Sequence, residues 1–149
     1  MECPEVGGGA SSSECVWRSA AGAVLAGAPV PRPASSAPGG SGALHLGAQF
    51  LNAARPGSIA YVSDPTWANH IPLLGAAGLK VEKYPYYDNA TNGVAFDRMV
   101  SFLDALPADS VVVLHACCHN PTGQDLDVAQ WQTIAEVLAK RRLLPFLDM

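Results

Sequence analysis

The stretch from Val111 to Gly123, VVVLHACCHNPTG, constrains the fold more than any other. It opens with four apolar residues, three of them β-branched, which suits a strand buried on both faces of a parallel sheet. Polarity then reverses within one residue. His115, Cys117, Cys118, His119, Asn120 and Thr122 crowd the strand's C-terminal end, and Pro121 and Gly123 stop it. Parallel α/β sheets bind ligands in the crevice outside the carboxyl ends of their strands. A hydrophobic strand that delivers polar groups there signals a site.

The flanking pattern gives the fold class. GGSG followed by ALHLGAQFLNAA predicts a Gly-rich turn opening a helix, with Ser41 as N-cap. Ser58–Val62 predicts a strand running into Asp64-Pro65, Trp67–Ala77 a helix, Leu79–Tyr84 a strand, and DNATNG (Asp88–Gly93) a polar turn. Helical periods run through Phe96, Met99, Val100, Leu103 and Leu106, and through Val128, Trp131, Ile134, Ala135 and Leu138. The second of these helices is preceded by an Asp127…Gln130 pair at capping-box spacing. Leu143–Asp148 predicts a last strand. Helices alternate with strands throughout, which means α/β with a mainly parallel sheet in three layers.

Residues 1–38 are of another kind. Twenty-four of them are Ala, Gly, Ser or Pro. They offer little apolar surface to offset the entropy of ordering, and a disordered, low-complexity segment is expected. A secretory signal is the alternative, with Ser19–Ala28 as its apolar core. Glu2, Glu5 and Glu14 precede that core, with Arg18 the only cation, the wrong sign for such a leader.

Composition narrows the function classes. A net charge of −4 favours neither nucleic acid nor an acidic membrane, and no apolar run reaches transmembrane length. Four cysteines do not make a disulfide framework, and small buried thiols in a reducing, cytoplasmic compartment are expected. Cys117 and Cys118, read as neighbours on a strand, are expected to point to opposite faces.

HxCxHNPTG resembles the hallmark of the class I aminotransferases of the aspartate and aromatic type, pyridoxal-phosphate enzymes of fold type I. GGSGAL, SDPTWANH (Ser63–His70), YPYYD (Tyr84–Asp88) and PFLDM (Pro145–Met149) are similar to further family segments at compatible spacing. The resemblance runs from about Gly39 to the last residue and implies part of the large, cofactor-binding domain over residues 39–149. It implies amino-group transfer between an aromatic or acidic L-amino acid and a 2-oxo acid such as 2-oxoglutarate, in a homodimer. It also implies a role for each matching residue. Gly40 and Ser41 would cradle the phosphate at a helix N-terminus. Asp148 would bind the pyridine nitrogen through a charge-assisted bond. Asn120 would donate to the phenolic oxygen, and Trp67 would stack on the ring. His70, Thr66 and His115 would support from behind.

The chain's lysines are Lys80, Lys83 and Lys140, and none resembles the family's Schiff-base lysine. No catalytic residue is therefore assigned, and a truncated chain, inert alone, is expected. Three other readings compete: a zinc module through His115, Cys117, Cys118 and His119, a cysteine hydrolase using Cys118 and His119, and a non-catalytic truncated subunit. Consecutive residues on a strand diverge, which argues against the first. Adjacent residues rarely give nucleophile–base geometry, and no separate oxyanion motif is in sight, which argues against the second. Asn89-Ala90-Thr91 matches a glycosylation acceptor and is read as a turn.

Overall fold

The computed structural model describes residues 39–148, so the expectations for residues 1–38 and for Met149 lie outside the described residues. The chain forms α1 (Gly39–Ala54), β1 (Ile59–Asp64), α2 (His70–Ala76), β2 (Lys80–Pro85), β3 (Tyr87–Asp88), β4 (Gly93–Val94), α3 (Phe96–Asp104), β5 (Val111–His115), α4 (Val128–Arg141) and β6 (Leu144–Asp148). Four strands pair in parallel in the order β2-β1-β5-β6. The expected α/β class and mainly parallel sheet are what the chain adopts.

Side-chain alternation along the strands divides the core into two faces. Tyr61, Val112 and Leu114 point to one side and pack with Met99 and Leu103 of α3 and with Trp131, Ile134 and Leu138 of α4. Ala60, Val62, Val111 and Val113 point to the other and pack with Ala48 and Leu51 of α1 and Leu74 of α2. Helices thus cover both faces, giving three layers.

The capping box forms as read: the Asp127 carboxylate accepts from the Gln130 amide, and the Gln130 side chain accepts from the Asp127 amide. Three expectations change. Ser41 is not an N-cap, because α1 already begins at Gly39 and Ser41 lies within its first turn. The helix expected over Trp67–Ala77 starts only at His70, since Pro65 to Asn69 form the loop that leaves β1. The polar turn at Asp88–Gly93 is the tip of a short antiparallel hairpin, β3 with β4. There Asp88 accepts from the Ala90 amide and the Thr91 hydroxyl.

The direction of α1 matters for the site. Arg55, just past its C-terminus, pairs with Asp109, just before β5, so α1 ends at the N-terminal edge of the sheet. Its N-terminus therefore rises to the carboxyl ends of the strands.

Candidate cofactor site

β5 and β6 pair with His115 opposite Asp148 and Val113 opposite Phe146. His115 shares its side of the sheet with Val111 and Val113, and Asp148 shares that side with Leu144 and Phe146, which pack with α1 and α2. Register and alternation alone bring an imidazole and a carboxylate to one spot, at the carboxyl end of the sheet under the α1–α2 layer. α2 adds His70 at its first position.

The groups lock together. The His70 Nε2–H donates to Asp148 Oδ2 at 3.0 Å, since a carboxylate only accepts. Thr66 Oγ1 lies 2.7 Å from His70 Nδ1. The His70 side chain is 1 % exposed and that of Asp148 26 %, so the carboxylate is held from behind and open in front. Trp67 meets the His70 ring edge-on, with centroids 5.4 Å apart, and His70 meets His115 edge-on at 4.9 Å.

His115 links this cluster to the loop after β5. The Asn120 amide N–H donates to His115 Nδ1 at 3.1 Å. Burial, and then the neighbouring His70, hold the His115 pKa below the ordinary histidine value, so the neutral ring carries its one proton on Nε2. That Nε2 is buried and has no hydrogen-bond partner among the described residues. His70, His115 and Asp148 bring ligand atoms within 4.8 Å of one another. A proton on His115 Nε2, however, faces a neighbour as a donor and not as a metal-binding lone pair.

His119 stacks on His115 at 4.3 Å and on Tyr86 at 3.9 Å. Its Nε2 meets the Ser63 hydroxyl at 2.9 Å and its Nδ1 the Thr122 hydroxyl at 2.8 Å. Burial, reinforced by His115, pushes its pKa down to about 4. Both ring nitrogens are satisfied within the fold. His119 is a packed core histidine that pins the loop. Sequence reasoning did not separate it from the exposed polar residues beside it.

Asp125 was missed altogether. Its carboxylate accepts from two consecutive amides, Cys118 at 2.9 Å and His119 at 2.8 Å, the concave arrangement of successive N–H groups that binds anions. Cys118 adopts a left-handed φ of +53° to make it. The available signal was an acid placed two residues after the Thr-Gly that closes the motif. The cysteines also lie beyond the end of β5, so the strand alternation expected to splay them does not apply, and Cys118 is exposed where buried thiols were expected.

Thr66, Trp67, His70, His115 and Asp148 therefore gather as one cluster, and Asn120 joins through its backbone while its side chain is exposed. Gly40 and Ser41 are placed by the direction of α1. Gly47 sits against the Phe146 ring, and seven residues of helix carry Gly40 about 10 Å further toward the carboxyl edge. Two residues of strand carry Asp148 about 7 Å the same way. The first turn of α1 and the carboxylate thus reach similar heights in one layer. Gly40 is exposed, with open space where a Cβ would be. A broad depression of about 850 Å³ lined by Asp64, Tyr87, Arg98 and Pro121 includes none of Gly40, Trp67, Asn120 or Asp148.

The three lysines stand apart in surface ion pairs: Lys80 with Glu82, Lys83 with Asp64 and Lys140 with Asp104.

An open carboxylate, a buried donor without a partner and a helix N-terminus at one level fit an anionic aromatic heterocycle such as pyridoxal phosphate. The chain is 55 % identical over 111 residues to a tyrosine aminotransferase of Klebsiella pneumoniae, covering 74 % of this chain and 28 % of that one. It is 50 % identical over 115 residues to an aspartate aminotransferase of Pseudomonas aeruginosa, covering 77 % and 29 %. Among solved structures, an aromatic-amino-acid aminotransferase of Burkholderia pseudomallei covalently bound to pyridoxal phosphate superposes with a TM-score of 0.73 at 40 % identity. That match covers 89 % of this chain and 41 % of the other. The chain spans under a third of the length of these curated relatives. A sequence profile described as "Aminotransferase class I and II" matches residues 33–149, and the chain belongs to that family.

Proposed function

We propose that residues 39–149 are part of the large domain of an enzyme that moves an amino group between an aromatic or acidic L-amino acid and a 2-oxo acid such as 2-oxoglutarate. The group required is pyridoxal phosphate. When bound, it supplies an electron sink for the electrons released as an amino acid loses its α-proton.

The observation that carries this reading is the Asp148 carboxylate, gripped by the buried His70 from behind and open in front. Asp148 would hold a pyridinium N–H through a charge-assisted bond. His70 keeps that carboxylate oriented, and Thr66 fixes His70 in turn. Asn120 would donate its side-chain amide to a phenolic oxygen, aimed by its backbone bond to His115. Gly40 and Ser41 would direct amides and a hydroxyl at a phosphate from the positive end of α1. Trp67 would offer an apolar ring face.

Supply of the Schiff-base lysine falls to residues other than Lys80, Lys83 and Lys140, and the chain alone is expected to be inert. The two-subunit assembly and cytoplasmic setting that the family resemblance implies also belong to this reading.

Titrating the purified chain with pyridoxal phosphate, with tryptophan fluorescence as readout, tests the cradle. Asp148→Ala should weaken binding roughly tenfold or more, the worth of a hydrogen bond to a charged group. Equal binding by the variant would remove the basis of the proposal. Keto-acid production from tyrosine or aspartate plus the cofactor would show that the chain suffices by itself.

A further inference from the structure

Cys117 and Cys118 have no part in the reading above. The strand has ended two residues earlier and Cys118 is left-handed, so the alternation that splays successive strand residues does not hold the two side chains apart. Both residues meet solvent, Cys118 more than Cys117. Asp125 holds the Cys118 and His119 amides, which fixes this turn from the other side.

An internal disulfide is a poor outcome for such a pair. Successive Cα atoms are about 3.8 Å apart, whereas a disulfide usually spans about 4.4–6.8 Å. One bridging atom between the sulfurs enlarges the ring and removes the conflict. Sulfur donors select soft centres. Among the described residues no third histidine, cysteine or acid joins the two sulfurs in a metal-binding group, so the bridging atom must be content with two donors. A trivalent arsenical that already carries one carbon substituent meets that condition.

We propose that Cys117 and Cys118 form a vicinal dithiol site for trivalent, thiophilic metalloid compounds, with monosubstituted arsenicals as the ligand class. The step balances without redox chemistry. Two S–H bonds and the arsenic–oxygen bonds of the arsenic(III) oxide are exchanged for two S–As bonds, the oxygen leaves as water, and arsenic stays trivalent. Burial, then the adjacent thiol, then the Asp125 carboxylate raise the Cys117 pKa, which slows alkylating reagents that need a thiolate. The site does not depend on the cofactor assignment.

The test uses the whole chain and phenylarsine oxide. After loading, blocking of free thiols and trypsin digestion, Cys117 and Cys118 fall together on the peptide spanning residues 99–140. Cys3 and Cys15 fall on residues 1–18. The expected result is one arsenic bridged across the 99–140 peptide, with both thiols protected, removed by 1,2-ethanedithiol and not by an equal thiol concentration of 2-mercaptoethanol. Cys117→Ser and Cys118→Ser should each bind roughly a hundredfold more weakly, because two linked donors gain the effective concentration of the second. Arsenic confined to residues 1–18, removal by both reagents alike, or single-cysteine variants that bind as the parent does would overturn the proposal.

Discussion

The two faces of the sheet are built differently. Under α3 and α4 the core is made of large groups: Tyr61, Tyr84, Met99, Leu103, Leu114, Trp131 and Ile134. Under α1 and α2 it is made mostly of small ones: Ala48, Ala60, Ala77, Val62, Val111 and Val113. The thick face buries most of the bulk. The thin face lets helices approach closely, as where Gly47 lies against Phe146 and Gly78 against Asn52. The proposed cofactor site lies on the thin side, where close approach aligns the first turn of α1 with Asp148. Stability and positioning are thereby assigned to opposite sides of one sheet.

The largest expected effect tests the thick face. Leu103 is fully buried there, and Leu103→Ala should destabilise by about 2–5 kcal/mol in urea unfolding through lost contacts and a cavity. A smaller loss would mean that this face collapses more easily than its packing implies. Next comes the loop that joins the faces. The His119 pKa is depressed to about 4, so the unfolded chain binds a proton that the folded chain refuses. Stability should be complete above about pH 6.5 and fall by on the order of 2 kcal/mol as pH drops toward 4. His119→Gln should flatten that slope in pH-dependent unfolding, leaving the smaller contribution of His115, which has the same sign.

Gly47→Ala probes the thin face directly. Its Cβ would meet the Phe146 ring at 2.8 Å, and overpacking of this kind should cost about 1–2 kcal/mol. If the face positions the site, pyridoxal phosphate binding should weaken more in Gly47→Ala than in Leu103→Ala at matched fraction folded. Equal weakening would erase the distinction between faces. Smaller still, Asp127→Ala removes the α4 cap and should cost about 1 kcal/mol by thermal unfolding. Smallest of all, Lys83→Ala breaks an exposed pair with Asp64 and should change stability by about 0.5 kcal/mol or less.

Much of this was legible in the residues. Alternation and period gave the strand and helix order, and Asp127 with Gln130 announced their cap, because these signals are local and each has one physical meaning. The cluster of Thr66, His70, His115 and Asp148 was legible through the family resemblance, since 78 residues separate His70 from Asp148 and no spacing rule joins them. The start of α1 was misplaced because Ser41 is a good cap in isolation, while the helix reaches back to Gly39, whose left-handed φ of +73° suits a residue without a Cβ. The hairpin was hidden in what looked like a plain turn, although Asn92-Gly93 is a recognised hairpin signal. Asp125 and the turn at Cys118 escaped because a carboxylate holding backbone amides depends on loop geometry, which one sequence does not display.

The pairing of His115 with Asp148 across two neighbouring strands has an evolutionary consequence. Losing or gaining one residue inside Leu144–Leu147 would exchange which side chains face α1, leaving Leu147 or its neighbour where the acid belongs. Length changes in that four-residue segment should therefore be purged even when the altered strand remains apolar enough to fold. The hairpin tip at residues 89–92 has no such duty and should drift freely in length among descendants.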